Sequence, residues 1–428
     1  MKKTIILIIV FLLLLTFSVL EADQPQIDVI TVDGVINPVT ADFITASIER
    51  ATGDKAECLI IRLDTPGGLV DSTRLIIKGI MASKIPIVVF VSPSGARAAS
   101  AGVFITLGSH VAVMAPSTNI GAAHPVTIDG GGDKDSVMGE KIENDLAAYI
   151  RTIANKTGRN AEWAEKAVRE SVSITEQKAL EEKIIDFIAK DMDDLIAKLD
   201  KRKIITAAGE KVIKAKNARV NHIEMTTPQK FFKVITDPNI AYLLMMIGMA
   251  GIFFELKSPG LIFPGIVGVI SLILAFYALQ TLPINYAGLF LILFAVLLFI
   301  TELYVPSYGL LTTGGIISLV LGSMMLIDTP YPFLKVSLNV ILPAALSIAA
   351  IFFFLVGAIV RAHSKKTTTG KEGLIGTTGS AETDIKKTGT VMVHGELWNA
   401  VSDEEINEKE KVKITGINGL LLKVEKLK

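Results

Sequence analysis

A serine set among alanine and glycine, two glycines following an aspartate, one lysine and one histidine are the residues here whose types and spacing could perform acyl transfer. Ser100 stands in the run Ala98, Ala99, Ser100, Ala101, Gly102, shortly after a turn at Ser92, Pro93, Ser94 and Gly95. Small neighbours let a substrate carbonyl reach the hydroxyl. A helix starting there would aim free amides and a positive dipole end at the reacting oxygen. The Ala101 amide is then one candidate donor to an oxyanion. The same run also suits an ordinary serine helix cap.

A second donor comes from Asp64, Thr65, Pro66, Gly67 and Gly68, at the end of an apolar run. Two glycines permit close backbone approach, and the Gly68 amide could complete an oxyanion hole. Losing one such donor raises a barrier by roughly 3 kcal/mol. The serine also needs a base. Lys141 follows a glycine run (Gly130, Gly131, Gly132) and shares a helical pattern with Met138, Ile142, Leu146, Tyr149 and Ile153. It borders that apolar face, where partial burial would favour the neutral amine and let it take the Ser100 proton near neutral pH. A solvated lysine is the plainer reading of such a position. His124, in Gly121, Ala122, Ala123, His124, Pro125, is the competing base, since imidazole commonly serves serine. His110, His222, His363 and His394 fall in a strand start, a connector and the far C-terminal part, and suit the task less.

The elements that must position these groups are readable. β-branched runs at 27–32, 58–63, 87–91 and 110–114 predict strands, and the segments 41–51, 69–82 and 100–107 between them predict helices. That alternation predicts an α/β domain over residues 25–190 with a parallel sheet. Cys58, the single cysteine, lies inside an apolar run and reads as an inert core residue. Residues 191–238 are polar and mixed, with a turn at Gly209 and Glu210, and read as a connector. Thr227, Pro228, Phe231 and Phe232 predict a capped juxtamembrane helix at its end.

Half of the 428 residues are hydrophobic, and mean hydropathy is +0.50, more than a soluble chain needs. Lys2 and Lys3 precede an apolar run from Ile5 to Leu20, so residues 1–22 read as a signal peptide or N-terminal anchor that exports the adjoining α/β domain. Apolar stretches at 240–254, 261–279, 286–303, 310–327 and 336–360 predict four or five membrane helices within 240–361. The first is short and glycine-rich, and suits a re-entrant segment as well as a span. Arg361, Lys365 and Lys366 come directly after the last stretch and predict a cytoplasmic C-terminus, with the α/β domain extracytoplasmic. Residues 367–428 carry glycine-punctuated strand signals near 390–393, 397–401, 412–415 and 420–424, the pattern of a small β-barrel. Forty-three basic residues balance 43 acidic ones, and Trp398 is the lone aromatic of that tail, which argues against a nucleic-acid groove.

Taken together, these residues resemble full-length NfeD-family membrane-bound serine proteases of the ClpP/signal-peptide-peptidase-like class. The Asp64–Gly68 loop, the Ala98–Gly102 elbow and the Lys141–Asp145 segment carry the likeness. Thr175, Glu176, Ala179, Ile185 and Asp186 add to it. The resemblance implies a ClpP/crotonase-like α/β domain, an all-α transmembrane block and an all-β OB-fold tail. It implies a Ser100–Lys141 dyad and an oxyanion hole from Gly68 and Ala101, with His124 as the alternative base and neither metal nor cofactor. It further implies an endopeptidase for hydrophobic sequences, a stomatin/prohibitin-like membrane protein as substrate or partner, contact with the lipid bilayer, and a homo-oligomer, dimer or larger. A non-enzymatic scaffold organising stomatin-like microdomains is the rival reading.

Overall fold

The computed structural model describes residues 24–125 and 137–427, apart from 258, 259, 261, 281, 283, 306, 308, 330–333 and 364–370. The expected signal or anchor segment, the Gly130–Gly132 run, and Lys365 with Lys366 lie outside the described residues. By internal contact the chain divides into two units, 1–304 with 313–346, and 305–312 with 347–428.

In the first unit the chain runs β1 (Gln26–Asp33), α1 (Pro38–Gly53), β2 (Cys58–Asp64), α2 (Val70–Ala82), β3 (Ile87–Val91), β4 (Arg97–Ala99), α3 (Ala101–Gly108), β5 (Val111–Met114) and β6 (Asn119–Gly121). It continues through α4 (Val137–Thr157), α5 (Ala161–Arg169), β7 (Ser173–Thr175), α6 (Glu176–Glu181), β8 (Phe187–Ile188) and α7 (Met192–Leu199). Then come β9 (Lys203–Thr206), β10 (Gly209–Val212), β11 (Arg219–His222) and α8 (Thr227–Ile235). Six strands form a sheet in the order β11-β1-β2-β3-β5-β8, parallel at every pairing. Successive side chains alternate between its faces. Ile30, Val32, Leu59, Ile61, Val89 and Val91 pack on one face under helices α1 to α5, and Ile27, Val29, Cys58, Ile60, Val88 and Phe90 pack on the other. Burial on both faces explains the unbroken apolar runs.

Two features depart from the sequence reading. The 191–238 stretch is more than a connector, because β11 pairs with β1 from Gln26↔Arg219 to Val29↔His222 and forms the sheet's edge. Its Arg-Val-Asn-His sequence carries no apolar run, so hydropathy alone passes it by. Helix α8 forms where expected, but the cap is Thr226, closed into a box with Gln229, and Pro228 occupies the first turn. A second, three-stranded sheet, β4-β6-β7, stands apart from the main one. It is the frame on which the candidate site is built.

Five apolar helices complete this part of the chain: α9 (Pro238–Lys257), α10 (Ile262–Leu279), α11 (Tyr286–Tyr304), α12 (Leu310–Met325) and α13 (Leu338–His363). Two stretches, Pro238–Leu256 and Ile262–Leu279, combine lengths of 19 and 18 residues with mean hydropathies of 1.7 and 2.4, enough to cross a bilayer. The apolar stretches Tyr286–Glu302, Leu310–Met325 and Leu338–Ile351 are shorter. Helices α9 and α10 touch backbone to backbone. A Cβ on Gly251 would lie 2.4 Å from the Pro264 carbonyl oxygen, so the close crossing depends on the absent side chain.

The second unit holds α14 (Lys371–Leu374) and the strands β12 (Thr378–Ala381), β13 (Thr388–Val393), β14 (Glu396–Val401), β15 (Lys411–Asn418) and β16 (Leu421–Lys426). They close into a barrel in the order β12-β13-β14-β16-β15 around Val391, Val393, Ala400, Ile414, Leu422 and Val424. Four of the five strands match the predicted runs. The fifth, β12, reads Thr-Gly-Ser-Ala and has no apolar signature.

Candidate active site

Strand β4 ends at Ala99 and helix α3 begins at Ala101, which leaves Ser100 alone on a sharp corner. Its backbone sits at φ 50 and ψ −111, outside the regions an L-residue ordinarily occupies. Such a position costs on the order of 1–3 kcal/mol and persists only where surrounding contacts over-determine it. Those contacts are present. The Ser100 N–H donates to the Gly121 carbonyl oxygen at 3.2 Å, and Val103 N–H donates back to the Ser100 carbonyl at 3.0 Å. Ser100 occupies the cap position of α3 yet makes no side-chain capping bond. The hydroxyl is half-buried, and no hydrogen-bond partner for it lies among the described residues. A helix-capping serine would spend its oxygen on the helix amides; this one keeps it available.

The Asp64–Gly68 loop is laced onto the same corner. Thr65 N–H donates to Arg97 O at 2.8 Å, Ala99 N–H to Thr65 O at 3.0 Å, and Arg97 N–H to Asp64 Oδ1 at 3.0 Å. Inside the loop, Thr65 Oγ1 accepts from Gly67 N–H at 3.0 Å and donates to Gly67 O at 3.1 Å. A Cβ on Gly67, whose φ is +124, would fall 2.7 Å from Ser100 Cβ. Glycine is therefore required for the Ser100 corner to exist. On its other side the loop pairs with Ile36: Ile36 N–H donates to Gly67 O at 2.9 Å, and Leu69 N–H to Ile36 O at 2.8 Å. That parallel pairing turns the Gly68 N–H away from Ile36. Gly68, Ser100 and Ala101 line one small cleft. The Ala101 amide is the first of α3 and has no intrahelical acceptor.

The rest of the cleft is mostly apolar, with Thr73 and Arg74 as its polar side chains. Phe104 and Tyr149 stack with ring centroids 6.2 Å apart, and Leu146 and Ala123 add to the wall. The Arg74 guanidinium lies 4.5 Å from the Tyr149 ring centroid and forms an ion pair with Asp145. Burial pushes the Tyr149 hydroxyl's pKa up, and Arg74 opposes the shift. Phe104, Arg74 and Tyr149 escaped the sequence reading as cleft residues. Only the helical period of α4 hinted at Tyr149.

Neither candidate base is hydrogen-bonded to Ser100 among the described residues. Lys141 is exposed on the second turn of α4, so the partial burial expected of it is not met. Leu146 and Tyr149, further along the same helix, reach the cleft instead. His124 is half-buried, with Nδ1 2.9 Å from the Val168 carbonyl oxygen and 4.0 Å from Glu143 Oε2. A carbonyl can only accept, so Nδ1 carries the proton in that contact.

Behind the site, Arg159 is buried. It donates to Leu107 O at 2.9 Å and Ser109 O at 2.8 Å, and its Nη2 meets Asp186 Oδ2 at 2.9 Å. Asp186 Oδ2 also accepts from Ala112 N–H at 2.7 Å. Burial lowers the Arg159 pKa and Asp186 pulls it back up. His110 Nδ1 accepts from Ile87 N–H at 3.2 Å, and burial, with Arg159 and Lys156 nearby, lowers its pKa to about 4. Cys58 is buried with its thiol pushed up to about 12, as suits an inert core residue. Among the described residues no cluster of three or more His, Cys, Asp or Glu could hold a metal ion.

Three family models tile the chain. The NfeD1b N-terminal domain matches residues 26–201, the NfeD integral membrane domain residues 239–358, and the NfeD-like C-terminal, partner-binding domain residues 371–426. A protein named membrane-bound protease PH1510, from Pyrococcus horikoshii, is 37% identical over 404 residues, 91% of either chain. The chain belongs to the NfeD family. Membrane protein NfeD1b of Bacillus subtilis is 27% identical and covers 95% of this NfeD chain and 94% of its own. The solved structure of a Pyrococcus horikoshii membrane protease specific for a stomatin homologue is 34% identical. It covers 50% of this chain and 100% of its own, at a TM-score of 0.44. Family membership makes this NfeD protein a membrane protein.

Proposed function

We propose that this NfeD protein is a membrane-anchored serine endopeptidase of the ClpP-like class, with Ser100 as nucleophile and Lys141 as general base. The reading is carried by one observation: Ser100 is held at φ 50 on a helix-start corner with an uncommitted hydroxyl, beside the Gly68 and Ala101 amides. A substrate carbonyl seated in the cleft would place its oxygen toward those two donors as the tetrahedral intermediate forms. Ser100 Oγ attacks the carbonyl carbon as its proton passes to the base, and the base returns that proton to the amine as the C–N bond breaks. Water, deprotonated by the same base, then hydrolyses the acyl-enzyme and frees Ser100. The Phe104, Leu146 and Tyr149 wall suits an apolar substrate side chain next to the scissile bond.

Lys141 is preferred to His124 because the His124 ring is tied to Val168 and lies near Glu143, whereas Lys141 has a long exposed side chain with no ion pair among the described residues. The proposed dyad requires the exposed Lys141 to turn toward Ser100 when substrate arrives. Stomatin- or prohibitin-like membrane proteins are the proposed substrates, in keeping with the name of the solved relative. The barrel's strand order fits an OB-fold, proposed as the partner-binding tail on the cytoplasmic side, with the α/β domain extracytoplasmic and the chain a homo-oligomer. The exposed position of Lys141 also favours one rival, a scaffold with an idle site. Purified full-length chain in lipid decides between them. Cleavage of an apolar peptide that disappears in Ser100→Ala, and falls further in Lys141→Ala than in His124→Ala, supports the dyad. Full cleavage by Ser100→Ala sinks it.

A further inference from the structure

A second cleft shares one lining residue with the first. Gly68 lines both, and from Gly68 the second runs past Pro66 and Leu69 to Asn37, Thr236 and Pro238, where membrane helix α9 starts. Its far wall is Leu282 and Leu334, each in a loop between apolar helices. These loops are tied into one surface beside the α/β domain. Asn285 N–H donates to Leu326 O at 2.9 Å, Ile284 bridges Ile327, and Ser337 N–H donates to Asn239 Oδ1 at 2.8 Å. The α/β domain is fastened to that surface close by. Asn37 Nδ2 donates to Thr236 Oγ1 at 3.2 Å, and Lys233 Nζ donates to the Asp33 carbonyl at 3.1 Å. The second cleft thus runs from the Gly68 loop to the starts of the membrane helices, aliphatic at Val35, Leu69, Leu282 and Leu334 and polar at Asn37, Lys233, Thr236 and Asp237.

We propose that this passage receives the stretch of a membrane-embedded polypeptide that emerges directly from the bilayer, and threads it to Ser100. The inference rests on the protease reading and adds to it a route and a substrate geometry. Continuity carries the choice of occupant. A chain leaving the hydrocarbon region meets Leu282 and Leu334 first and Gly68 last, and an extended chain spans such a distance in few residues. The aliphatic stretch at Val35, Leu69, Leu282 and Leu334 suits apolar side chains that flank a spanning segment, and the polar Asn37, Lys233, Thr236 and Asp237 suit the segment's exposed backbone at the bilayer surface. Binding there raises the effective concentration of the scissile bond at the site. A free soluble peptide gains nothing from the passage, so Leu282 and Leu334 act as specificity-determining residues for tethered substrates.

The test uses full-length protein in phosphatidylcholine vesicles and two substrates with one apolar cleavage sequence. The first is a short free peptide; the second carries the same sequence directly after a single spanning helix in the same vesicles. Leu282→Trp and Leu334→Trp, in separate loops, narrow the passage. The ratio of kcat/KM for the tethered over the free substrate should fall at least tenfold in each. An unchanged ratio in both overturns the passage. A second measurement does not depend on catalysis. In Ser100→Ala protein, Leu334→Cys should form a disulfide under mild oxidation with a cysteine placed next to the spanning helix of the tethered substrate. Buried Cys58 stays silent in that experiment. Cross-linking no greater than at an exposed control site such as Met138→Cys overturns the passage. Cleavage of both substrates by Ser100→Ala overturns the protease reading instead, and the cross-link is scored either way.

Discussion

The two ends of helix α3 are built to opposite rules. At its N-terminus the chain is strained at Ser100, the first amide lacks an intrahelical acceptor, and the side-chain-free Gly67 closes on the Ser100 Cβ. At its C-terminus the Arg159 guanidinium donates to the Leu107 carbonyl and to that of the capping residue Ser109, Asp186 holds that guanidinium in place, and His110 secures the start of β5 against β3. Eight residues separate the ends. A short helix can hold a strained first corner only if it cannot slide or fray, so the bonding withheld from one end is concentrated at the other. The reactive end is where function is exposed, and the anchored end is where stability should be found.

Substitutions at the two ends should therefore separate activity from stability. The largest effect belongs to Ser100→Ala: peptide cleavage should fall by at least about 10⁴-fold with the melting temperature almost unmoved, read by a fluorogenic assay beside calorimetry. Gly67→Ala should cost about 10²–10³-fold in kcat, because the added methyl drives into Ser100 Cβ and displaces the hydroxyl from the oxyanion donors. Arg159→Met acts at the anchored end. Removing the guanidinium from Asp186, from the Leu107 carbonyl and from the Ser109 carbonyl should destabilise the domain by about 3 kcal/mol in urea unfolding, with activity surviving below the new midpoint.

His110 supplies the pH dependence of that anchored end. Its folded pKa of about 4 lies below the unfolded value near 6.5, so the unfolded chain takes up the proton first. Its contribution is complete above about pH 6.5, erodes as pH falls, and is gone near pH 4. Urea midpoints of His110→Gln should vary less across that window than those of the natural chain. The smallest effect brings the comparison back to the strained end. Ser100→Gly removes the hydroxyl and relieves the backbone, and should raise stability by about 1 kcal/mol. A Ser100→Gly protein less stable than Ser100→Ala would mean that the corner is not strained.

Legibility in the sequence divides along the same line. Strands β1, β2, β3 and β5 are readable because each is buried on both faces and spells an apolar run, and Ser100 and Gly68 are readable because small residues cluster where backbones approach. Strands β4, β6 and β7 have three residues each, too few for any period, so the frame of the corner is silent. The Arg159–Asp186 anchor joins residues 27 apart in sequence, and neither position has a local signature. Lys141 sits on the helix that the pattern predicts, but its exposure depends on how α4 lies over the cleft, which periodicity alone does not determine.

Covalent labelling tests the central claim most directly. Intact membranes carrying the full-length chain are treated with a fluorophosphonate probe, and the modified residue is identified by peptide mass. Labelling should fall on Ser100, vanish in Ser100→Ala, and weaken more in Lys141→Ala than in His124→Ala. Labelling that persists in Ser100→Ala, or a natural chain that takes up no probe while cleaving peptide, contradicts the assignment of Ser100 as the nucleophile.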